Sequence, residues 1–179
     1  MSWKDFYRRR DVIDAVLRQA HHDPEGELPF AEIAGAEELF GTKQNLLLAL
    51  HHKWTRLLSG HLRAESACPD DANALDLPDQ EGDQIDAVSR AWNKATREHA
   101  TLRAVLDAHI DDSAELLAMH RAEQRMLAVT AGLAEPREPI AEITKIGVAF
   151  DALLRSGQAR PARRRSPVGH LLRMLAPSA

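Results

Sequence analysis

The stretch from Leu39 to Leu62 constrains the fold more than any other part of the chain, because it predicts a tight turn followed by a long helix. Gly41 suits the positive φ of such a turn, and the hydroxyl of Thr42 suits the cap of a helix that starts at Lys43. Mostly apolar side chains then recur every three or four residues, which places them on one helix face. The members of this face are Leu46, Leu47, Leu50, Trp54, Leu57, Leu58, His61 and Leu62. A helix of this length would span about 30 Å, enough to cross a small domain.

The composition predicts that the rest of the chain is helical as well. Of the 179 residues, 44% are hydrophobic and 28% charged, which is ordinary for a soluble domain with a real core. Aromatic residues make up only 4%, so aliphatic side chains must supply the packing. Ala and Leu dominate, and no convincing segment alternates between apolar and polar residues. We therefore expect an all-α fold.

Apolar spacing and helix breakers divide the chain into further predicted elements. A first helix runs from about Trp3 to Ala20, with Phe6 on its inner side, and a short second helix runs from Pro29 through Ala34. An acidic linker follows the long helix, and an Arg- and Pro-rich tail closes the chain. The later helices are predicted over 83–99, 102–110, 113–131 and 139–155, the linker over 68–82, and the tail from 156, where the pattern allows a short helix over 168–175.

The sequence Leu-Phe-Gly-Thr-Lys at 39–43, followed by Leu-Leu-Leu-Ala-Leu at 46–50, resembles a junction in TetR-family repressors. In that family a similar motif opens the connector helix between the DNA-binding head and the ligand-binding body. The basic run at 8–10 with the apolar residues at 12–17 resembles the family's first helix, and 30–34 resembles its second. The resemblance implies a TetR-like helical bundle. Its parts would be a degenerate DNA-binding head over 1–45, a ligand-binding and dimerisation body over 46–155, and the tail over 156–179.

The segment before the connector helix is too short for a complete helix-turn-helix. Such a motif needs roughly eleven residues between its first helix and the connector, whereas six residues separate Ile33 from Phe40. We expect the recognition helix to be missing or cut to a single turn. Glu37 and Glu38 lie in this segment and carry the wrong charge to face phosphate groups. The net charge of −4 also argues against general nucleic-acid binding.

The resemblance nevertheless implies a set of candidate DNA contacts. The amide groups at the start of the connector helix could hold a phosphate, as family repressors do near this junction. The alternative is a solvated helix end and a solvated basic arm. The candidate residues are Arg8, Arg9, Arg10, Thr42 and Lys43.

The pair of helices predicted over 113–131 and 139–155 is the candidate dimer interface, because in TetR-family proteins the late helices of two subunits form a four-helix bundle. The alternative is that both helices cover the core of their own protomer. A glycine in the middle of the apolar face of the last helix costs roughly 1 kcal/mol relative to alanine, which suggests that another backbone approaches there. The interface residues would be Ile140, Ile143, Gly147, Phe150 and Leu154.

A second group of residues could line a cavity for a small apolar effector between the connector helix and the body. Ligand cavities in helical bundles are mainly apolar with a few polar groups. The alternative is a filled core with satisfied histidines, because a stripe that contains tryptophan is more often core than pocket. The candidate residues are Trp54, His61, Trp92, His99, His109 and Met126.

No motif predicts an enzyme, a metal site or another cofactor. The chain lacks a Gly-rich phosphate loop, a nucleophile elbow and a His-Glu-x-x-His run. His51 and His52 are adjacent and would point about 100° apart on a helix, and the later histidines lack the spacing of a helical metal site. A single cysteine, Cys68, rules out an internal disulfide. With neither a signal peptide nor a membrane span apparent, we expect a cytoplasmic protein.

Two functions remain open. In the first, the chain is a homodimeric TetR-like regulator that binds DNA through its degenerate head and a small apolar effector through its body. In the second, it is a diverged module that has lost DNA recognition and binds a ligand or another protein. The Arg-rich tail could contact nucleic acid, an acidic partner or the acidic linker, and the sequence does not decide among them.

Overall fold

The computed structural model describes residues 3–66 and 80–158, and within these ranges the secondary structure is entirely helical. The helices are α1 (Trp3–Ala20), α2 (Ala36–Phe40), α3 (Lys43–Ser66), α4 (Gln80–Glu98), α5 (Ala100–Ala108), α6 (Ala114–Thr130) and α7 (Ile140–Gln158). The predicted all-α class is confirmed for this part of the chain, whereas the TetR-like arrangement stays a prediction. Cys68, most of the predicted linker and the predicted helix over 168–175 lie outside the described residues.

The predicted connector helix is α3, and it lies at the centre of the bundle. It packs against α2, α4, α5 and α6. Leu46, Leu50, Trp54 and Leu58, at intervals of four residues, are completely buried along its inner face. This spacing places them one above another on successive turns, so α3 supplies the spine of the core.

The start of α3 has the turn that the sequence predicts. Gly41 has a φ of 73°, and the hydroxyl of Thr42 accepts a hydrogen bond from the amide of Asn45 at 3.1 Å. The side-chain amide of Asn45 in turn donates to the carbonyl of Phe40 at 2.8 Å. These local contacts satisfy backbone groups that a helix end leaves without partners.

The predicted second helix over Pro29–Ala34 is absent, and this prediction was wrong. A proline suits the first turn of a helix but does not by itself make one form. The side chains in this segment are instead used for packing: Leu28 is buried, and Phe30 and Ile33 pack against the core. Gly35 then takes a φ of 83° immediately before α2.

The five residues of α2 make the only helix between α1 and α3 in the described part of the chain. A helix of this length has little more than one turn. The structure thus has a single short helix in this segment, and the interpretation of it as a shortened recognition helix stays a prediction. Residues 21–42 contain no second helix of the kind that a helix-turn-helix requires.

The first two turns of α1 extend beyond the core. Phe6 was predicted on the inner side of this helix, but it is exposed, as are Trp3 and Tyr7. Their rings contact one another, with the Trp3 and Tyr7 centroids 5.4 Å apart. Periodicity identified the helix correctly but could not show where its neighbours end.

The last two helices pack closely as a hairpin. A Cβ atom added at Gly147 of α7 would lie 2.5 Å from the carbonyl oxygen of Gln124 in α6. The close backbone approach that the mid-helix glycine suggested is confirmed, and the neighbour is α6 of the same chain. α7 also packs against α4, which joins the hairpin to the rest of the bundle.

Candidate functional site

The basic residues that the resemblance implied as DNA contacts have partners within the chain. Arg8 donates two hydrogen bonds to the carboxylate of Glu38 in α2, at 2.8 and 3.1 Å. This contact lowers the pKa of Glu38. Lys43 Nζ lies 3.7 Å from a carboxylate oxygen of Asp112. Glu38, which was expected to repel phosphate, instead neutralises the nearest arginine.

The two other arginines of the basic run lie over aromatic rings. The guanidinium of Arg9 is 5.4 Å from the centroid of Phe40, and that of Arg10 is 5.1 Å from the centroid of Tyr7. Both distances are within the range of cation–π contacts. The fifth candidate, Thr42, caps α3. The structure thus gives each of the five candidates a role within the chain.

Most of the predicted dimer-interface residues are enclosed by their own chain. Phe150 and Leu154 belong to the main hydrophobic core, and Ile143 belongs to a smaller cluster with Ala128 and Ala134. Gly147 is covered by the backbone of α6. Of the five predicted residues only Ile140 is exposed. The other four are covered by their own protomer, as the alternative describes, and their role as contacts with a second copy stays a prediction.

The residues predicted to line an apolar effector cavity are not grouped around one space. Trp54 and Trp92 are completely buried by neighbouring side chains, His109 is buried, and Met126 packs against the core. His61 and His99 lie together elsewhere, with ring centroids 6.3 Å apart. The filled-core alternative therefore describes the two tryptophans.

One of these residues, His99, does line a surface groove of about 700 Å³. The groove lies beside α1, α3 and the start of α5, and its walls combine charged and polar side chains with apolar ones such as Leu17, Leu57 and Leu102. Within it Lys53 binds Asp14 at 2.6 Å, and His21 contacts Thr101 at 2.9 Å. Burial lowers the pKa of His99. The groove thus offers a mixed polar and apolar surface, open at the side of the bundle, and it is not the enclosed cavity between the connector helix and the body that the sequence predicted.

Sequence reasoning missed a group of polar side chains at the centre of the bundle, where α3, α5, α6 and α7 meet. Each member is at least nine-tenths buried, which is unusual for polar side chains unless they have partners. We call this group the polar cluster. Its members are His51, Arg103, His120, Glu123, Gln124 and Asp151.

Glu123 is the centre of the polar cluster. Its Oε1 atom accepts hydrogen bonds from the indole of Trp54 at 2.9 Å and from Arg103 at 2.8 Å. Its Oε2 atom lies 3.4 Å from Nε2 of His51, but neither atom has a hydrogen-bond partner. Burial by itself would raise the pKa of Glu123, but His51, Arg103 and Trp54 outweigh it and lower that pKa to about 2. Glu123 is therefore ionised at neutral pH.

Charged side chains continue from Glu123 towards the end of α7. Arg103 binds Asp107 at 2.7 Å, and Arg155 binds the same carboxylate at 2.9 Å. Arg155 also donates to Asp151 at 3.0 Å. Although burial opposes it, the two arginines lower the pKa of Asp107. Alternating charges thus connect α5 to α7.

The imidazole of His120 lies near both Glu123 and Asp151. Its Nε2 atom is 2.9 Å from the side-chain nitrogen of Gln124 and 3.6 Å from a carboxylate oxygen of Asp151. Gln124 also donates to that carboxylate at 3.1 Å. Burial lowers the pKa of His120, so the neutral imidazole, which can offer a lone pair, is the favoured form.

Two groups of side chains in the described ranges have the composition of a metal site. His51, His120 and Glu123 have ligand atoms within 4.8 Å of one another, as do His61, Glu98 and His99. The first group is buried and the second is partly exposed. The sequence contained one signal for the first group, because His120 and Glu123 are three residues apart on one helix face. The spacing of the histidines alone forms no helical pair, and the sequence does not show that α3 brings His51 to the same place.

Comparisons of the chain with protein-family models, with curated proteins and with solved structures give no significant match. Among the described helices, none combines the length and the apolar character needed to cross a bilayer.

Proposed function

We propose that this chain is a TetR-like helical module that pairs with a second copy of itself and does not read DNA sequence. The observation that carries the proposal is the apolar outer face of α7. Ile140, Val148 and Leu153 are 70%, 48% and 67% exposed on this helix, whose opposite side is buried. A helix that is apolar on both sides is typically covered on both sides.

The outer face of α7 is continuous enough to form an interface. Small apolar residues fill the positions between the three large side chains, and they are exposed. The two charged residues near the start of this face, Glu142 and Lys145, bind each other at 2.8 Å, so they leave no net charge on it. The small residues are Ala141, Ala149 and Ala152.

The size of the face favours pairing through two helices from each copy. α7 has 19 residues, and a helix of that length is about 28 Å long and about 10 Å wide. Stable interfaces bury about 800 Å² on each partner, which exceeds what one helix offers. α6 lies beside α7 and exposes Ala114, Ala118 and Ala122 at intervals of one turn. A symmetric four-helix arrangement with the same face on both copies would use both helices, and this symmetry is the commonest among oligomers.

The short helix α2 and its surroundings support the second part of the proposal, which is that the chain does not read DNA sequence. α2 is too short to enter the major groove as a recognition helix. The nearest basic side chains are held by Glu38, Asp112 and two aromatic rings. Without a helix that reaches base edges, any contact with DNA would be limited to phosphates and would carry no sequence information.

Light scattering on size-separated protein tests the dimer. The variant Val148→Glu with Leu153→Glu places two negative charges on the outer face of α7, and we expect it to be monomeric while the unaltered chain is dimeric. The matched control is Arg63→Glu, which changes the net charge by the same amount at an exposed position of α3. We expect this control to remain a dimer. A monomeric mass for the unaltered chain at micromolar concentration would reject the proposal.

A transcriptional regulator is the second candidate, and one observation favours it. The ion pairs of Arg8 and Lys43 are at the surface, and such pairs contribute little stability, so phosphates could replace the carboxylates. Binding to the DNA beside the protein's own reading frame, measured against random duplex over a range of salt, separates the candidates. A regulator should prefer its site by about a thousandfold or more. We expect weak binding that is equal for both duplexes and is lost as salt increases.

A further inference from the structure

We propose that His51, His120 and Glu123 bind a divalent transition-metal ion, of the class to which zinc belongs, at the centre of the helical bundle. This inference is independent of the dimer proposal, because it rests on the polar cluster and makes no use of the outer face of α7. Two imidazole nitrogens and a carboxylate oxygen form a common ligand set for such ions.

The first argument is the position of two atoms without partners. Nε2 of His51 and Oε2 of Glu123 are buried, lack hydrogen bonds and lie 3.4 Å apart. Leaving such groups without partners lowers stability. Two ligands of a tetrahedral ion with bonds of about 2.1 Å are separated by about 3.4 Å. The separation of these two atoms therefore matches that of two ligands of one ion.

The third ligand requires a small adjustment. The ligand atoms of the three residues lie within 4.8 Å of one another, so a ring nitrogen of His120 would have to move inward by about 1.4 Å at most to reach the ligand spacing of one ion. Nε2 of His120 contacts the amide of Gln124 and, more distantly, Asp151. The amide of Gln124 can keep its bond to Asp151 while His120 moves.

The surroundings of Glu123 resemble the support that metal ligands need. Its Oε1 atom is held by Trp54 and Arg103, which fixes the carboxylate and leaves Oε2 directed towards His51. Carboxylates that bind metal ions are themselves hydrogen-bonded in this way, and those bonds orient them. The guanidinium of Arg103 binds Oε1 of Glu123, so it does not occupy the position of the ion beside Oε2.

The charges of the region also favour another cation. The carboxylates of Asp107, Glu123 and Asp151 face the guanidinium groups of Arg103 and Arg155. With neutral histidines, three negative and two positive charges leave one negative charge in excess. A buried charge without compensation is costly. Either a proton on a histidine or a metal ion supplies the missing positive charge, and only the metal ion uses both imidazoles and Glu123 together.

The second histidine group has weaker support. In it His61 already contacts Glu98 at 3.4 Å, and the carboxylate of Glu98 is about half exposed to solvent. Water can therefore satisfy these groups, and no buried atom of His61, Glu98 or His99 lacks a partner among the described residues. This group serves as the internal comparison for the experiment.

The test measures metal content and affinity in the full chain without a histidine tag. Because the polar cluster is enclosed, the protein is refolded in the presence of Zn²⁺ or Co²⁺, and free metal is then removed. We expect one equivalent of bound metal, a visible Co²⁺ spectrum typical of low coordination number, and a higher unfolding temperature than that of the metal-free protein. Absence of a bound equivalent in the refolded, unaltered chain overturns the proposal.

Variants locate the site. We expect His51→Ala and His120→Ala each to weaken Zn²⁺ binding at least tenfold, whereas His52→Ala and His99→Ala leave it unchanged. His52 is the matched control for His51, since it is the exposed neighbour on the same helix. Circular dichroism checks the fold of each variant. If His51→Ala does not fold, His51→Asn replaces it, because its amide can still face Glu123. Binding that survives both ligand changes, or that His99→Ala removes, overturns the assignment.

Discussion

Gly147 shows how a single missing side chain fixes the distance between two helices. Its Cα lies against the peptide group that joins Gln124 to Arg125, so any larger residue would meet backbone atoms. Backbone cannot move aside as a flexible side chain can, and the pair of helices would have to separate. The sequence indicated a close approach at this glycine, but only the structure identifies α6 as the neighbour.

We therefore predict that Gly147→Ala lowers the free energy of unfolding by about 1–3 kcal/mol, the usual cost of overpacking, despite the better helix propensity of alanine. The matched control is Gly60→Ala in α3, where an added Cβ meets nothing within 4 Å. This control should raise stability by about 0.5–1 kcal/mol. Urea unfolding of the two variants gives both values, and equal effects would contradict the packing argument.

The carboxylate of Glu123 predicts a pH dependence of stability. Its pKa is about 2 in the folded chain, below the ordinary value of a glutamate. The folded state is therefore stabilised above the ordinary pKa, and this contribution is lost as pH falls from about 4.5 towards 2. It amounts to something on the order of 3 kcal/mol. Urea unfolding at several pH values should show a smaller acid loss for Glu123→Gln than for the unaltered chain, and parallel curves would contradict the prediction.

At the scale of the elements, local signals predicted helices well where capping residues and apolar faces agreed. The starts of α3 and α6 follow this rule, since Thr42 and Ser113 each accept a hydrogen bond from a backbone amide three residues later. The prediction of a helix after Pro29 was wrong because a proline permits a helix start without requiring one. Leu28, just before this proline, is buried in the core.

The cap of α6 can be tested separately from the core. Ser113→Ala removes the acceptor for the amide of Leu116 and should cost about 1 kcal/mol of unfolding free energy. The matched control is Ser89→Ala within α4, whose hydroxyl bonds only to a carbonyl one turn earlier. This control should change stability by less than about 0.5 kcal/mol. Thermal unfolding compares the two, and an equally large loss in the control would contradict the role of the cap.

At the scale of the whole molecule, the sequence could not show which helices meet. His51 and Glu123 are far apart along the chain, and nothing in their spacing indicates that α3 and α6 bring them within 3.4 Å. The same limit affected the last helix. Periodicity identified Phe150 and Leu154 as one face, but the covered side turned out to be the protomer's own core. The exposed side, with Val148 and Leu153, carries the dimer proposal instead.

The dimer proposal predicts that stability depends on protein concentration. Association that occurs only in the folded state stabilises it by mass action, so the unfolding temperature should rise with each tenfold increase in concentration. The variant Val148→Glu with Leu153→Glu should show no such rise, because its copies remain separate. Scanning calorimetry at two concentrations provides the measurement. If the unfolding temperature of this variant also rose with concentration, the two copies would associate through another part of the surface.

The hydrogen bond from Trp54 to Glu123 gives the molecule an internal optical probe. An indole enclosed by apolar side chains emits at shorter wavelength than one in water, and its emission responds to charge placed on its hydrogen-bond acceptor. We expect Trp54 and Trp92, both completely buried, to emit at shorter wavelength than Trp3, which is exposed at the beginning of α1. Changes in the middle of the bundle can therefore be followed in solution without attaching a dye.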